Sequence, residues 1–114
     1  MEVEHLQIQD IEIFRIHGNW IQGQGETAKR LLDPYVADPK VTKMLINLAE
    51  VHSIDSSILG LMVSYHKGLE RRKARFALCH LDPTLQRLMD MTQMSRILTI
   101  FPTEAEAINQ LKGV

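Results

Sequence analysis

Three adjacent residues, Asp55-Ser56-Ser57, are the part of this chain whose types could do chemistry. They follow the apolar run Met44-Leu45-Ile46-Asn47-Leu48 and precede Ile58, Leu61, Met62, Tyr65 and Leu69, which recur at helical spacing. Two hydroxyls and a carboxylate are therefore expected where a buried strand meets a helix N-terminus. Open α/β sheets gather functional groups beyond the C-terminal ends of their strands, and a helix N-terminus favours negative charge. The chemistry that fits is reception of a phosphate by a serine hydroxyl. A second reading stays open on pattern alone: Asp and Ser are favoured N-caps, bonding free backbone N–H groups and doing nothing else. One cap needs one such residue, and three stand here in a row.

Charge decides what a phosphate would do. A phosphoserine at Ser56 would carry close to two negative charges. Helix amides would favour it by ~0.3–2 kcal/mol. Asp55, at ~6 Å, would oppose it by roughly 1–3 kcal/mol at an effective dielectric of ~40–80. The terms nearly cancel, so the fold should tolerate the group. A partner packed over the same surface would have to desolvate a dianion beside a carboxylate, which is far more costly. The junction suits an interface that is switched on and off.

Other chemistry is poorly served, and no catalytic residue, cofactor or metal is expected. His5, His17, His52, His66, His80 and Cys79 show no recognisable ligand spacing, and Cys79 and His80 are neighbours expected on opposite sheet faces. A hydrolase would want a Gly-x-Ser-x-Gly elbow, which is absent. Gly18, Gly23 and Gly25 do not make a dinucleotide fingerprint. A small enzyme or nucleotide binder built on Ser56 and His52 thus has no phosphate-cradling loop and no organised acid–base pair. Glu70-Arg71-Arg72-Lys73-Ala74-Arg75 reads as a solvated helix C-terminus complementing the dipole, not as a nucleic-acid patch. Met89, Met91 and Met94 divide between core filling and a partner surface.

The elements that must hold the junction follow from periodicity. Residues 5–9 alternate as a short half-buried strand, with Leu6 and Ile8 on one face. Residues 11–17 read as a second strand whose apolar residues occupy both parities, so both faces are covered or a bulge shifts the register. Residues 20–25 form a loop by their glycines. Ala28, Leu31, Leu32, Tyr35 and Val36 are helical, and Asp33-Pro34 either kinks that helix or ends and restarts it. Residues 44–48 fit a central strand. Phe76-Ala77-Leu78-Cys79 is a further strand, Asp82-Pro83 a helix start, and residues 97–101 a last strand. Thr103 and Glu106 make a capping box for a final helix that Gly113 ends. The order β-β-α-β-α-β-α-β-α predicts one α/β domain with mainly parallel strands joined by right-handed crossovers.

Composition agrees. The 114 residues are 45% apolar and 24% charged, with formal net charge −1, so steering toward nucleic acid or an acidic membrane is not expected. No apolar run reaches the ~18 residues of a membrane span, so no direct membrane insertion is expected. The start Met1-Glu2-Val3-Glu4 is acidic where a secretory signal is basic. Cys79 is the only cysteine, which precludes an intrachain disulfide. A cytoplasmic location is the simplest expectation.

The succession "INLAEVHSIDSSILGLM", with "RFALCHLDP", "TLQRLMDMTQM" and "ILTIFPTEAEAI", carries a resemblance over nearly the whole chain. The chain resembles a stand-alone STAS domain of the bacterial anti-sigma factor antagonist type, whose members commonly show Asp-Ser-Ser-Gly-Leu-Gly at this place. The resemblance implies a mixed, mainly parallel sheet of about five strands with about four helices, largely on one side. It implies a partner-switching module that does no chemistry itself. The serine after the aspartate, here Ser56, is phosphorylated by a serine kinase that doubles as the anti-sigma factor. The unmodified protein binds that kinase, phosphorylation abolishes the binding, and a serine phosphatase restores it. Asn19, Trp20, Asp55, Ser57, Ile58 and Leu59 are the expected partner contacts, with Trp20 either an exposed anchor or folded onto the sheet edge. Two departures stand out: Ile58 replaces the first motif glycine while Gly60 keeps the second, and Gly18-Asn19-Trp20-Ile21 lacks the acid of the family's Gly-Glu-Leu-Asp loop. The alternative within the same fold is a STAS subunit of a larger assembly, such as a lipid transporter or stress-signalling complex, that uses the serine for contact without phosphorylation.

Overall fold

The computed structural model describes residues 1–21, 23 and 26–113. Its elements are β1 (Glu2–Ile8), β2 (Ile11–His17), α1 (Glu26–Ala37), β3 (Lys43–Glu50), α2 (Ser56–Glu70), β4 (Arg75–Cys79), α3 (Pro83–Met91), a 3₁₀ turn (Met94–Arg96), β5 (Thr99–Phe101) and α4 (Glu104–Leu111). The sheet order is β1-β2-β3-β4-β5, with β1 antiparallel to β2 and every later pair parallel. The expected α/β architecture, a mixed five-stranded sheet with four α-helices, is what forms.

Strand order and chain handedness place the helices. Each crossover steps to the next strand in the same direction, and a fixed right-handed connection then puts α1, α2 and α3 on one face. Among the described elements only α4 is not a crossover between two strands of this sheet, and it covers the other face. Two cores result. Phe14, Ile16, Met44, Ile46, Leu48, Phe76 and Leu78 meet α1, α2 and α3 through Leu32, Met62, Leu69 and Met89. The alternate strand residues Ile11, Ile13, Leu45, Ala77 and Cys79 meet Ala107 and Leu111 of α4. This explains the double parity of β2. Both of its faces are covered, and its pairing with β3 also shifts register between Arg15 and His17.

Several boundaries differ from the sequence expectation for visible reasons. Strand β1 starts at Glu2, because antiparallel pairing with β2 continues to the Glu2–His17 pair regardless of exposure. Helix α1 runs on through Pro34. Strand β5 begins only at Thr99: the N–H groups of Ile97 and Leu98 are taken by the Met94 carbonyl at 3.0 and 2.8 Å and cannot join the ladder. Thr103 caps α4, accepting from the Glu106 N–H at 3.1 Å, but α4 ends in αR geometry at Lys112, without a left-handed Gly113. The expected loop over residues 20–25 includes Gln22, Gln24 and Gly25, which lie outside the described residues.

The basic run after α2 is only partly solvated. Arg72 reaches back to α1, where its guanidinium donates to the carbonyls of Val36 at 2.6 Å, Asp38 at 2.8 Å and Val41 at 3.0 Å. These carbonyls lie at and just beyond the C-terminus of α1, where a helix leaves acceptors without intrahelical donors. Arg72 is thus a tertiary cap that fixes α1 against α2. A Tyr65–Asp33 hydrogen bond joins the same two helices.

Candidate functional site

The Asp55-Ser56-Ser57 segment sits at the junction expected for it, beyond the end of β3 and at the start of α2. Asp55 is the N-cap, in extended geometry, and its Oδ1 accepts the Ile58 N–H at 3.1 Å. The same oxygen accepts the Ser57 hydroxyl at 2.6 Å. The three candidate caps therefore do different work. Asp55 satisfies the helix, Ser57 is bound to Asp55, and Ser56 is the first residue of the helix with an exposed hydroxyl that makes no hydrogen bond among the described residues. A hydroxyl on the first helical turn points out from the amide-rich end of α2, where developing negative charge is favoured.

The neighbouring loop is stitched alongside. Trp20 and Ile54 form an isolated parallel bridge, the Trp20 N–H donates to the Ser53 carbonyl at 3.0 Å, and the Gly18 N–H donates to the Glu50 carbonyl at 3.1 Å. These bonds extend the β2–β3 pairing past the strand ends and bring exposed Asn19 to the same end of the sheet as Ser56. On the other side of the junction, His52 Nδ1 lies 3.1 Å from Asp82 Oδ2. Asp82 caps α3 through the Leu85 N–H, and that bond, with the one to His52, holds its carboxyl below the usual range. Three consecutive strand–helix loops are thus cross-linked.

Three of the expected contact residues are buried in the free chain. The Trp20 side chain is 0% exposed and belongs to the helix-side core, so it is the folded-in tryptophan and not an exposed anchor. Its indole N–H is buried with no hydrogen-bond partner. Ile58 and Leu59 are also buried, at 6% and 7% exposure, because they fall on the α2 face that carries Met62, Tyr65 and Leu69. Ile58 in place of a glycine therefore adds core packing and does not crowd the outer surface. The expected partner contacts left with surface at this end are Asn19, Asp55 and Ser57.

A polar cluster on the opposite face escaped the sequence reading. Arg15 makes a two-pronged pair with Glu104 at 2.7 and 3.0 Å and also binds Glu4 at 2.9 Å. Asn47 donates to Glu104 at 2.6 Å, and His80 Nε2 accepts the Glu104 N–H at 3.0 Å. The Arg15 bond lowers the Glu104 pKa. His80 has φ +59° and leaves strand geometry, so Cys79 and His80 do not alternate across the sheet; both serve the α4 side. The only sequence signal was that Arg15 and Asn47 interrupt otherwise apolar strands at the α4-facing parity. Burial pushes the Cys79 thiol up to about 12, which makes it inert. Among the described residues no group of three or more His, Cys, Asp or Glu could hold a metal, and no helix is long and apolar enough to cross a membrane.

A single antiparallel strand leading a parallel sheet, with three crossover helices on one face and a serine-bearing helix N-terminus at the sheet's carboxyl end, defines a small mixed-sheet α/β domain. Comparison with known proteins is consistent with that class. The STAS domain family model matches residues 2–107, and the chain belongs to that family. The anti-sigma F factor antagonist of Paenibacillus polymyxa is 24% identical over 114 residues, covering 100% of this chain and 96% of that protein. Among solved structures, an anti-sigma factor antagonist from Mycobacterium paratuberculosis superposes with TM-score 0.87 at 15% identity, covering 97% of this chain and 93% of that one. The unphosphorylated form of the anti-sigma factor antagonist SpoIIAA superposes with TM-score 0.77 at 20% identity, covering 99% and 100%. The phosphorylated form of the Bacillus cell fate determinant SpoIIAA does so with TM-score 0.73, also at 20% identity, covering 96% and 98%.

Proposed function

We propose that this chain is an anti-sigma factor antagonist that works by partner switching. With Ser56 unmodified it binds an anti-sigma factor that is also a serine kinase. Phosphorylation of Ser56 by that kinase releases the complex, and a serine phosphatase resets it. The observation that carries the reading is the division of labour at the junction: Ser57 is bound to Asp55, while the exposed Ser56 hydroxyl makes no hydrogen bond among the described residues. A relative named as an anti-sigma F factor antagonist and a structural neighbour known in two phosphorylation states support it. Physically, a phosphate at Ser56 meets the helix N-terminal dipole within the free protein, so the fold can carry it. In a complex the same dianion, next to Asp55, would lose its water, and the interface would separate.

The test is incubation with the cognate kinase and ATP, followed by phosphosite mapping and binding measurements. Label on Ser56 and loss of kinase binding in Ser56→Asp are expected. Binding unchanged in Ser56→Asp, with no label on Ser56, would replace the switch by a purely structural role in a larger assembly.

A further inference from the structure

The outward face of α2 leads from Ser56 into a groove. Ser56, Gly60, Val63, Lys67 and Arg71 are spaced by four, three, four and four residues, which keeps them within an arc of roughly 80° on a 3.6-residue helix. Ile58, Met62, Tyr65 and Leu69 take the opposite, buried side. Between the outward face and α1 lies an open groove of about 440 Å³. Val36 and Val63 give it an apolar floor, Gly60 and Ser64 leave it shallow, and Lys67 and Arg71 stand at its far end.

One feature of this groove has no explanation inside the protein, and a second leaves charge available to a partner. A Cβ at Gly60 would meet nothing within 4 Å, so alanine would fit there. A helical glycine nonetheless destabilises by roughly 0.5–1 kcal/mol relative to alanine. Lys67 and Arg71 are exposed like charges four residues apart, unfavourable by about 0.2–0.5 kcal/mol, which the helix dipole, worth about 0.3–1 kcal/mol per cation, offsets while leaving both charges open to a partner. Neither has a carboxylate partner among the described residues, and the nearby carboxylate of Glu70 turns to His66 at 3.0 Å. Arg72 turns to the carbonyls of α1, and Lys73 and Arg75 line a separate pocket with Glu70 and His66, so the groove's own cations are Lys67 and Arg71.

We infer that the groove docks an acidic segment of the anti-sigma partner, an inference that rests on the partner-switching reading. The segment lies along α2, with backbone or a small side chain over Gly60, apolar residues on Val36 and Val63, and carboxylates at Lys67 and Arg71. The cations specify the sign of the occupant, and the valine floor specifies a polypeptide with apolar positions and not a nucleic acid. The arrangement also says how the switch acts at a distance from the groove's cations. Ser56 is one turn, about 6 Å, ahead of Gly60 on the same track. A phosphate there must lose its water where the segment passes Gly60, and that local desolvation does the switching, because the carboxylates at Lys67 and Arg71 lie ~16–22 Å along the helix, beyond the Debye length of ~8 Å.

The test is calorimetric titration of the unphosphorylated full chain with each purified serine-kinase-type anti-sigma factor of the source organism, at low and moderate salt. We expect the wild type to bind with a salt-dependent affinity. Lys67→Glu combined with Arg71→Glu should weaken binding at least tenfold and flatten the salt dependence. Gly60→Gln should weaken it at least tenfold while melting no lower than wild type, since glutamine is the better helix former. Binding within twofold of wild type in both groove variants, with Ser56→Asp defective, would overturn the groove and leave the switch standing. Defective groove variants with normal Ser56→Asp binding would keep the groove and remove the switch. A wild type that binds none of these partners overturns both.

Discussion

Replacing Asp55 by alanine removes its bonds to Ser57 and to the Ile58 N–H together and tests the proposal that Ser56, and not its neighbour, is the acceptor. The Ser57 hydroxyl donates to Asp55 Oδ1 at 2.6 Å, a charge-assisted bond. Because Ser57 is exposed, water competes, and a net value of about 1 kcal/mol is appropriate. At ~1.4 kcal/mol per tenfold, that holds Ser57 back by a factor of about five. In Asp55→Ala the ratio of label on Ser57 to label on Ser56 should therefore rise about fivefold. The same change removes the acceptor for the Ile58 N–H and should lower stability by about 1 kcal/mol, or ~4–8 °C in Tm. Asp55→Asn divides the effects: asparagine caps as well as aspartate, so Tm should be nearly kept, while the weaker neutral acceptor should give an intermediate ratio. The assay is initial-rate phosphorylation with site-resolved mass spectrometry, alongside thermal melts. Only the ratio is read, so a lower total rate does not affect it. An unchanged ratio in an Asp55→Ala protein that shows the cap loss would refute the argument.

Three further outcomes are expected elsewhere. Arg72→Met should lose about 2–4 kcal/mol, because several carbonyls at the end of α1 lose a charged donor; an unfolding free energy from urea titration within ~0.5 kcal/mol of wild type would contradict this. The Glu104 pKa is lowered first by Arg15, so its contribution to stability is present above the unfolded carboxylate pKa and is lost as pH falls through the lower folded one. Glu104→Gln should accordingly be less stable at neutral pH and show a shallower loss of stability below about pH 4.5. The Cys79 thiol, pushed up to about 12 by burial, should not react with a thiol reagent at pH 8 in the native protein and should react at once in denaturant.

Much of the fold was legible because its signals are local. The alternation of short apolar runs with helical stripes gives the element order, and Asp55, Asp82 and Thr103 each cap the helix that their position announced. The double parity of β2 left covered faces or a bulge open, and the structure has both. What was illegible depends on partners far away in the chain. Arg72 looks like any residue of a solvated basic helix end until α1 is laid beside it, 31 to 37 residues earlier. Arg15 and Glu104 are 89 residues apart, and no spacing rule joins them. Trp20 could be an exposed anchor or a core residue by type, and the bridge to Ile54 decides for the core.

The candidate site divides in the same way. By itself the sequence determined that a carboxylate and two hydroxyls stand between a buried strand and a helix, since hydrophobic periodicity and cap chemistry act over a few residues. Only the tertiary structure decided which of the three is available. Asp55 faces back over the helix end, takes the Ser57 hydroxyl with it, and leaves Ser56 facing solvent. Helical spacing already put Ile58 on the apolar stripe; only the structure added Leu59 to the core and set Val36 of α1 beside Gly60, Lys67 and Arg71 to form a groove. The reason is that a helix's inner face is set by the sheet and the neighbouring helices it packs against, and the outer face is whatever remains.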